Sequence, residues 1–300
     1  MSTESMHQER GQTTAGLRAL FWSLRREFWE NRALLIAVPA VGALFLLGFA
    51  FYAVHLSSAM REAALLDPMK QRAALAYPYD IAAALLMLTG MVVAIFYCLD
   101  ALHGERRDHS ILFWKSLPVS DLSTVLIKAS IPLIIMPLIV FAVTVATQLL
   151  MLLLSSAILA ASGQSVSALW DVMSFPRMSA MLLYHLVTVH ALWQAPFFGW
   201  LLLVSAWARR TPFLWAFLPP IAICYLEKII FNTTHLLALV TDRIGGGMEA
   251  LVASGTFPMD PMTQLTPMRF LAAPGLWIGL AITAACLAGA ARLRHYRGPI

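Results

Sequence analysis

From Ala129 to Trp170 the chain carries no charged residue. No soluble fold hides a run of that length, whereas a helix crossing a bilayer needs about 20 consecutive apolar residues. The run is nearly long enough for two crossings, but the part beyond Ser155-Ser156 is too short and too polar to cross again. One long helix over about 125–159 is expected, tilted or kinked, with Pro132 and Pro137 as the kink points. The rest of the chain agrees: 60% of its residues are hydrophobic and 12% charged, where ordinary globular domains carry roughly 25% charged residues. With a mean hydropathy of +0.74, the fold class is an all-α integral membrane protein.

Five further apolar runs bring the expected number of transmembrane helices to six, over about 33–56, 80–99, 125–159, 178–208, 213–230 and 270–291. Pro39 marks a possible bend in the first. Between the fourth and fifth stand only Arg209, Arg210, Thr211 and Pro212. Two arginines at mid-bilayer would cost about 5–7 kcal/mol, so they mark a tight turn at a membrane surface. The segment 231–269 holds apolar pieces, His235 to Val240 and Met248 to Ala253, that are too short to span. They read as a lipid-dipping or surface-lying segment between spans five and six.

Ahead of the first span, Leu17, Leu20, Phe21, Leu24 and Phe28 recur at helical spacing, flanked by arginines. Arg18, Trp22, Arg25 and Trp29 suit a helix lying in the headgroup plane, with rings at the interface and guanidinium groups toward phosphates. Residues 1–32 are thus a polar N-terminus and an interfacial helix, and 33–300 a single six-span domain. No cleavable signal peptide is visible. The net charge is +5, but no separate basic domain exists to bind nucleic acid. With both termini in the cytoplasm, that side collects the larger share of the 21 Lys and Arg residues: the N-terminal arginines, Arg106, Arg107, Lys115, Lys128, Arg209, Arg210 and the basic tail Arg292, Arg294 and Arg297. The positive-inside rule favours this orientation.

Motifs of chemistry are scarce. No phosphate-binding loop occurs, and Gly245-Gly246-Gly247 runs into Met248 and Glu249 instead of Lys and Ser/Thr. Cys98, Cys224 and Cys286 form no CxxC pair, and neither a disulfide nor a metal is expected. His185 and His190 stand five residues apart, about 140° around an α-helix, where shared ligation wants i, i+4. Paired carboxylates inside spans, usual in proton-driven carriers, are missing.

The densest charge in the first half lies in Gly104-Glu105-Arg106-Arg107-Asp108-His109-Ser110-Ile111-Leu112-Phe113-Trp114-Lys115-Ser116-Leu117-Pro118, a polar island after the second span. A short helix from Glu105 to about Ser116 is expected, with Glu105 and Asp108 in its first turn, favourable to the helix dipole. Leu117-Pro118 would end it, and Asp121 is placed to cap the next helix.

Tyr97-x-x-Asp100-x-x-x-x-Glu105-Arg106-Arg107-Asp108-x-Ser110-Ile111-x-x-Trp114-Lys115-Ser116-Leu117-Pro118-Val119-Ser120, followed by Lys128, resembles the segment after the second span in ABC-2 type transporter permeases. The layout of interfacial helix, six spans and lipid-dipping segment resembles that family along essentially the whole chain. The resemblance implies a cytosolic coupling helix between spans 2 and 3 that docks on a separate ATPase subunit. Glu105, Arg106, Arg107, Asp108 and Lys115 would then supply polar contacts, and Phe113, Trp114 and Leu117 packing anchors. It implies a non-enzymatic transport subunit, mostly exporting, in a bacterial plasma (inner) membrane. Two copies of the ABC ATPase would carry ATP and Mg, and a second permease, identical or homologous, would complete the path. Two other readings compete: an intramembrane enzyme using His185, His190 and Glu227, and a membrane scaffold that recruits a cytosolic partner through the island.

Overall fold

The computed structural model describes residues 22–56, 58, 67–115, 120–245 and 267–298. Among them the chain is all-α, with no strand. Helical residues 22–30 form α1, and the chain turns at Asn31 into α2, Ala33–Ala53. Pro39 sits inside α2 without ending it. The next helix, α3, runs Pro68–Ala101, so it begins well before the expected Asp80. Its first turns are mixed in polarity, and Pro68 at the first helical position starts it without losing a needed N–H.

The island folds as two short helices, not one: α4, His103–Arg107, and α5, Ser110–Lys115. They are separated at Asp108-His109, where His109 takes a positive φ of 57°. The charge-free run forms one continuous helix: α6 (Asp121–Ser130), a π-helical turn π1 (Ile131–Ile135) and α7 (Met136–Ala161). Pro132 lies in π1; its missing N–H breaks the i→i−4 ladder there, and the wider turn absorbs the break. Ser120, not Asp121, caps α6, its Oγ accepting from the Ser123 N–H at 3.1 Å. The short α8, Val166–Met173, leads through Ser174 at φ 40° into α9, Phe175–His185. A second π segment, π2 (Leu186–Trp193), joins it to α10, Ala195–Trp207. After the Arg209-Arg210 turn comes α11, Pro212–Phe231, then α12, His235–Gly245. The chain closes with α13, Pro267–Ala272, and α14, Pro274–Tyr296. Residues Met248 to Ala253, the second piece of the expected lipid-dipping segment, lie outside the described residues.

Five helices are long and apolar enough to cross a membrane, and the pair Phe175–Trp193 and Ala195–Trp207, bent by 45° at Gln194, makes a sixth if it counts as one crossing. The architecture fits a multi-pass membrane protein. Two apolar clusters lie at opposite ends of the long helices. One holds Leu34, Tyr97, Val125, Ala208 and Leu287; the other holds Phe49, Ala53, Tyr79, Leu159 and Met173, with Phe175 against it. Because Phe175 belongs to one end and Ala208 to the other, the bent pair runs the length of the bundle. Close helix approach depends on small residues. A Cβ at Gly199 of α10 would lie 3.3 Å from the Thr283 backbone of α14, and interfaces of this kind are common between membrane helices. By contrast, α11 buries only Ala216 and exposes Leu214, Leu218, Ile221, Ile229 and Phe231.

Candidate functional site

The island is attached to the bundle more firmly than its charge predicts. The attachment begins at the break between α3 and α4. There the Ser205 hydroxyl of α10 accepts from the backbone N–H groups of Leu102 (3.1 Å) and His103 (3.0 Å) and donates to the Leu99 carbonyl at 2.8 Å. A helix break leaves such groups without partners, and a buried one must find another. Arg106 makes the second bolt. Its Nη1 donates to the carbonyls of Ala206 (2.8 Å) and Ala208 (3.2 Å) and its Nε to Gly298 (3.3 Å). It thus satisfies the last carbonyls of α10, where a cation also meets the negative end of the helix dipole.

Glu105 is the third bolt and the hub of a buried charge cluster. Its carboxylate lies 3.3 Å from Lys128 Nζ, 3.2 Å from Arg294 Nη2 and 3.6 Å from Arg26 Nη2. Lys128 is shared with Glu27 at 2.9 Å, and Glu27 accepts from the Tyr97 hydroxyl at 2.8 Å. Arg294 also pairs with Asp121, and Asp121 meets His295 at 3.2 Å. Arg26, Lys128 and Arg294 thus face Glu27, Glu105 and Asp121, and Arg26 also pairs with Glu30 at 2.6 Å at the cluster's edge. Glu27, Glu105, Lys128 and Arg294 are all buried, so their mutual attraction acts with little screening. The cluster joins α1, α4, α6 and α14.

The outward face of the island is therefore narrower than the sequence reading. Glu105 and Arg106 were expected to meet a partner, but both are buried, because each has internal groups that need its charge or its donors. Arg107 and Asp108 are exposed and pair at 2.9 Å, and Arg107 also reaches Asp100 at 3.5 Å. The Arg107 hydrogen bond holds the Asp108 carboxyl below the usual carboxylate range. Leu112 is exposed and Ile111 buried. The backbone of α5 carries Phe113, Trp114 and Lys115; their side chains, and all of Leu117, lie outside the described residues.

In α1, Trp22 and Trp29 are exposed, and the Arg25 guanidinium lies 5.1 Å and 6.0 Å from their ring centres. Leu24 and Phe28 pack on the bundle from the opposite face. Arg18 lies outside the described residues.

Elsewhere, π2 changes the relation between two histidines. In a π-helix residues five apart come onto one face, and the His185 and His190 rings stand 5.8 Å apart. Expecting an α-helix separated them. No cluster of three metal-ligating side chains occurs among the described residues. Glu227 serves the chain itself: its oxygens accept from the N–H groups of His235 (2.8 Å) and Leu236 (2.9 Å) and from Thr233 (2.9 Å). That caps α12 at its start.

Comparison with known protein families, with characterised proteins and with solved structures finds no match to this chain.

Proposed function

We propose that this chain is the membrane-spanning subunit of an ABC-2 type transporter, an exporter moved by a separate ATPase that docks on the α4–α5 island. The observation that carries the reading is the attachment of the island. Ser205, Arg106 and Glu105 tie it to α10, α1, α6 and α14, while Arg107, Asp108 and Leu112 face outward. A push on the outer face would move several long helices together, as a coupling lever requires.

Under this reading the chain crosses a bacterial inner membrane six times, the bent α9–α10 pair counting once, with both termini cytoplasmic. Trp22, Arg25 and Trp29 hold α1 at the interface. A second permease faces this one, and two ATPase subunits carry ATP and Mg.

The test is co-purification with a cytosolic ATPase followed by measurement of vanadate-sensitive hydrolysis and transport. Replacing Arg107, Asp108 and Leu112 by alanine should weaken docking or uncouple hydrolysis from transport, with the chain still folded. Normal coupled transport after replacing 107–117 by Gly-Ser would overturn the proposal. The nearness of His185 and His190 keeps an intramembrane enzyme in view. Loss of function on His190→Ala with the ATPase complex intact would favour it, although Glu227 already serves as a helix cap.

A further inference from the structure

A second concentration of positive charge lies beside the island, at the turn between α10 and α11. Arg209 and Arg210 form the turn between α10 and α11 and are exposed. Arg106 has Arg209 and Arg297 as like-charged neighbours. Among the described residues no carboxylate pairs with Arg106, Arg209 or Arg210; the cluster around Glu105 takes other cations. Gathered guanidinium groups repel one another, and an anion that joins them relieves the repulsion.

Directly beside the turn is an apolar groove between α10, α11 and the end of α14, with a volume of about 380 Å³, lined by Trp200, Leu203, Trp207, Trp215, Pro219 and Leu293. This lies within the roughly 300–1,000 Å³ typical of ligand clefts. Trp207 and Trp215 pack edge to face at 4.9 Å at the arginine end, and both are more than 40% exposed. Trp200 lies two turns deeper, about 10 Å by helical rise, and its Nε1–H donates to the Ala216 carbonyl at 3.0 Å, which fixes the floor. Pro219 adds no donor to the wall. The groove is therefore apolar and aromatic, and Arg209 and Arg210 follow Trp207 in the chain at one end of it.

We infer that this groove holds an anionic phospholipid of the surrounding bilayer, its acyl chain along Trp200, Trp207 and Trp215 and its phosphate at Arg209 and Arg210. The inference rests on the membrane reading and is independent of the ATPase. A free phosphate would satisfy the arginines but leave the groove unused. A zwitterionic lipid would fill the groove but bring a cation to the arginines. Basic pockets between helices at a cytoplasmic surface select anionic headgroups for this reason.

The test uses the full chain in detergent micelles doped with lipid brominated on its acyl chains, which quenches tryptophan fluorescence on contact. Brominated phosphatidylglycerol should quench at about a tenfold lower mole fraction than brominated phosphatidylcholine. Arg209→Gln with Arg210→Gln should abolish that preference, while Arg209→Lys with Arg210→Lys keeps it and shows that the fold tolerates change at the turn. Leu203→Phe, which narrows the groove without adding a tryptophan, should reduce quenching by both lipids. Equal quenching by the two lipids in the unaltered chain, or an unchanged preference in the glutamine variant, overturns the inference. So does displacement of the lipid by inorganic phosphate beyond that caused by sodium chloride at equal ionic strength, which would make this a free-anion site. Loss of quenching on self-association would assign the groove to a second copy and likewise overturn it. A chain that stays monodisperse once detergent is removed would instead refute the membrane reading itself.

Discussion

Ser205 shows how much one hydroxyl carries in this chain. It accepts from Leu102 and His103 and donates to Leu99, so Ser205→Ala strands two buried backbone donors. The expected loss is about 1–3 kcal/mol, read as a lowered thermal midpoint of the protein in detergent, and an unchanged midpoint would refute the role. Lys128 makes a larger prediction. Lys128→Ala leaves Glu27 and Glu105 buried without the cation they share, and breaking a buried ion pair costs about 3–5 kcal/mol. Combining Lys128→Met with Glu27→Gln removes both charges and should recover most of that loss. A double variant no better than Lys128→Ala would mean that packing, not charge, holds α1 to α6. Arg107→Ala is the contrast: its pair with Asp108 is exposed, so stability should hold while docking suffers.

The two π segments have different origins and different consequences. π1 contains Pro132, and the sequence already marked that residue as a kink point. π2 contains no proline and was invisible, since any estimate of facing assumes 3.6 residues per turn. That assumption placed His185 and His190 on different faces, whereas they meet at 5.8 Å. Between helices, the close approach of α3 and α7 yields a direct test. A Cβ on Gly90 would fall on Val140 Cγ2, and a β-branched side chain at χ1 has little room to give way. Gly90→Ala should therefore destabilise by about 1–3 kcal/mol, and adding Val140→Ala should restore the midpoint. An unchanged midpoint in the single variant would show that the helices separate at little cost.

For the whole molecule, the apolar runs located the long helices because about 20 residues without charge have few other uses. The Arg209-Arg210 turn was legible for the same energetic reason. Glu105 and Arg106 were not, because their partners lie at Arg26, Lys128, Arg294 and the end of α10, distant in sequence. Charge density alone reads as solvation, and only the fold reveals that the charges are internally matched. Those distant links also constrain orientation. Glu105 with Arg294, and Arg106 with Ala208, put the island, the end of α10 and the end of α14 at one end of the bundle. Arg243 of α12 stacks 4.1 Å from the Trp193 ring and also bonds the carbonyls of Trp193 and Gly275, fixing α12 near the bend and the start of α14. Single cysteines at Asp108 and Tyr296, in a chain with Cys98, Cys224 and Cys286 replaced, should therefore share one accessibility. Cysteines at Ser162 and Asp242 should share the opposite one. With the basic ends inside, an impermeant maleimide added to intact cells should label positions 162 and 242 and reach 108 and 296 only after the membrane is opened. Labelling of 108 and 242 from the same side would mean that α11, or the bent α9–α10 pair, fails to cross, and labelling of 108 in intact cells would overturn the cytoplasmic placement that the proposed ATPase docking requires.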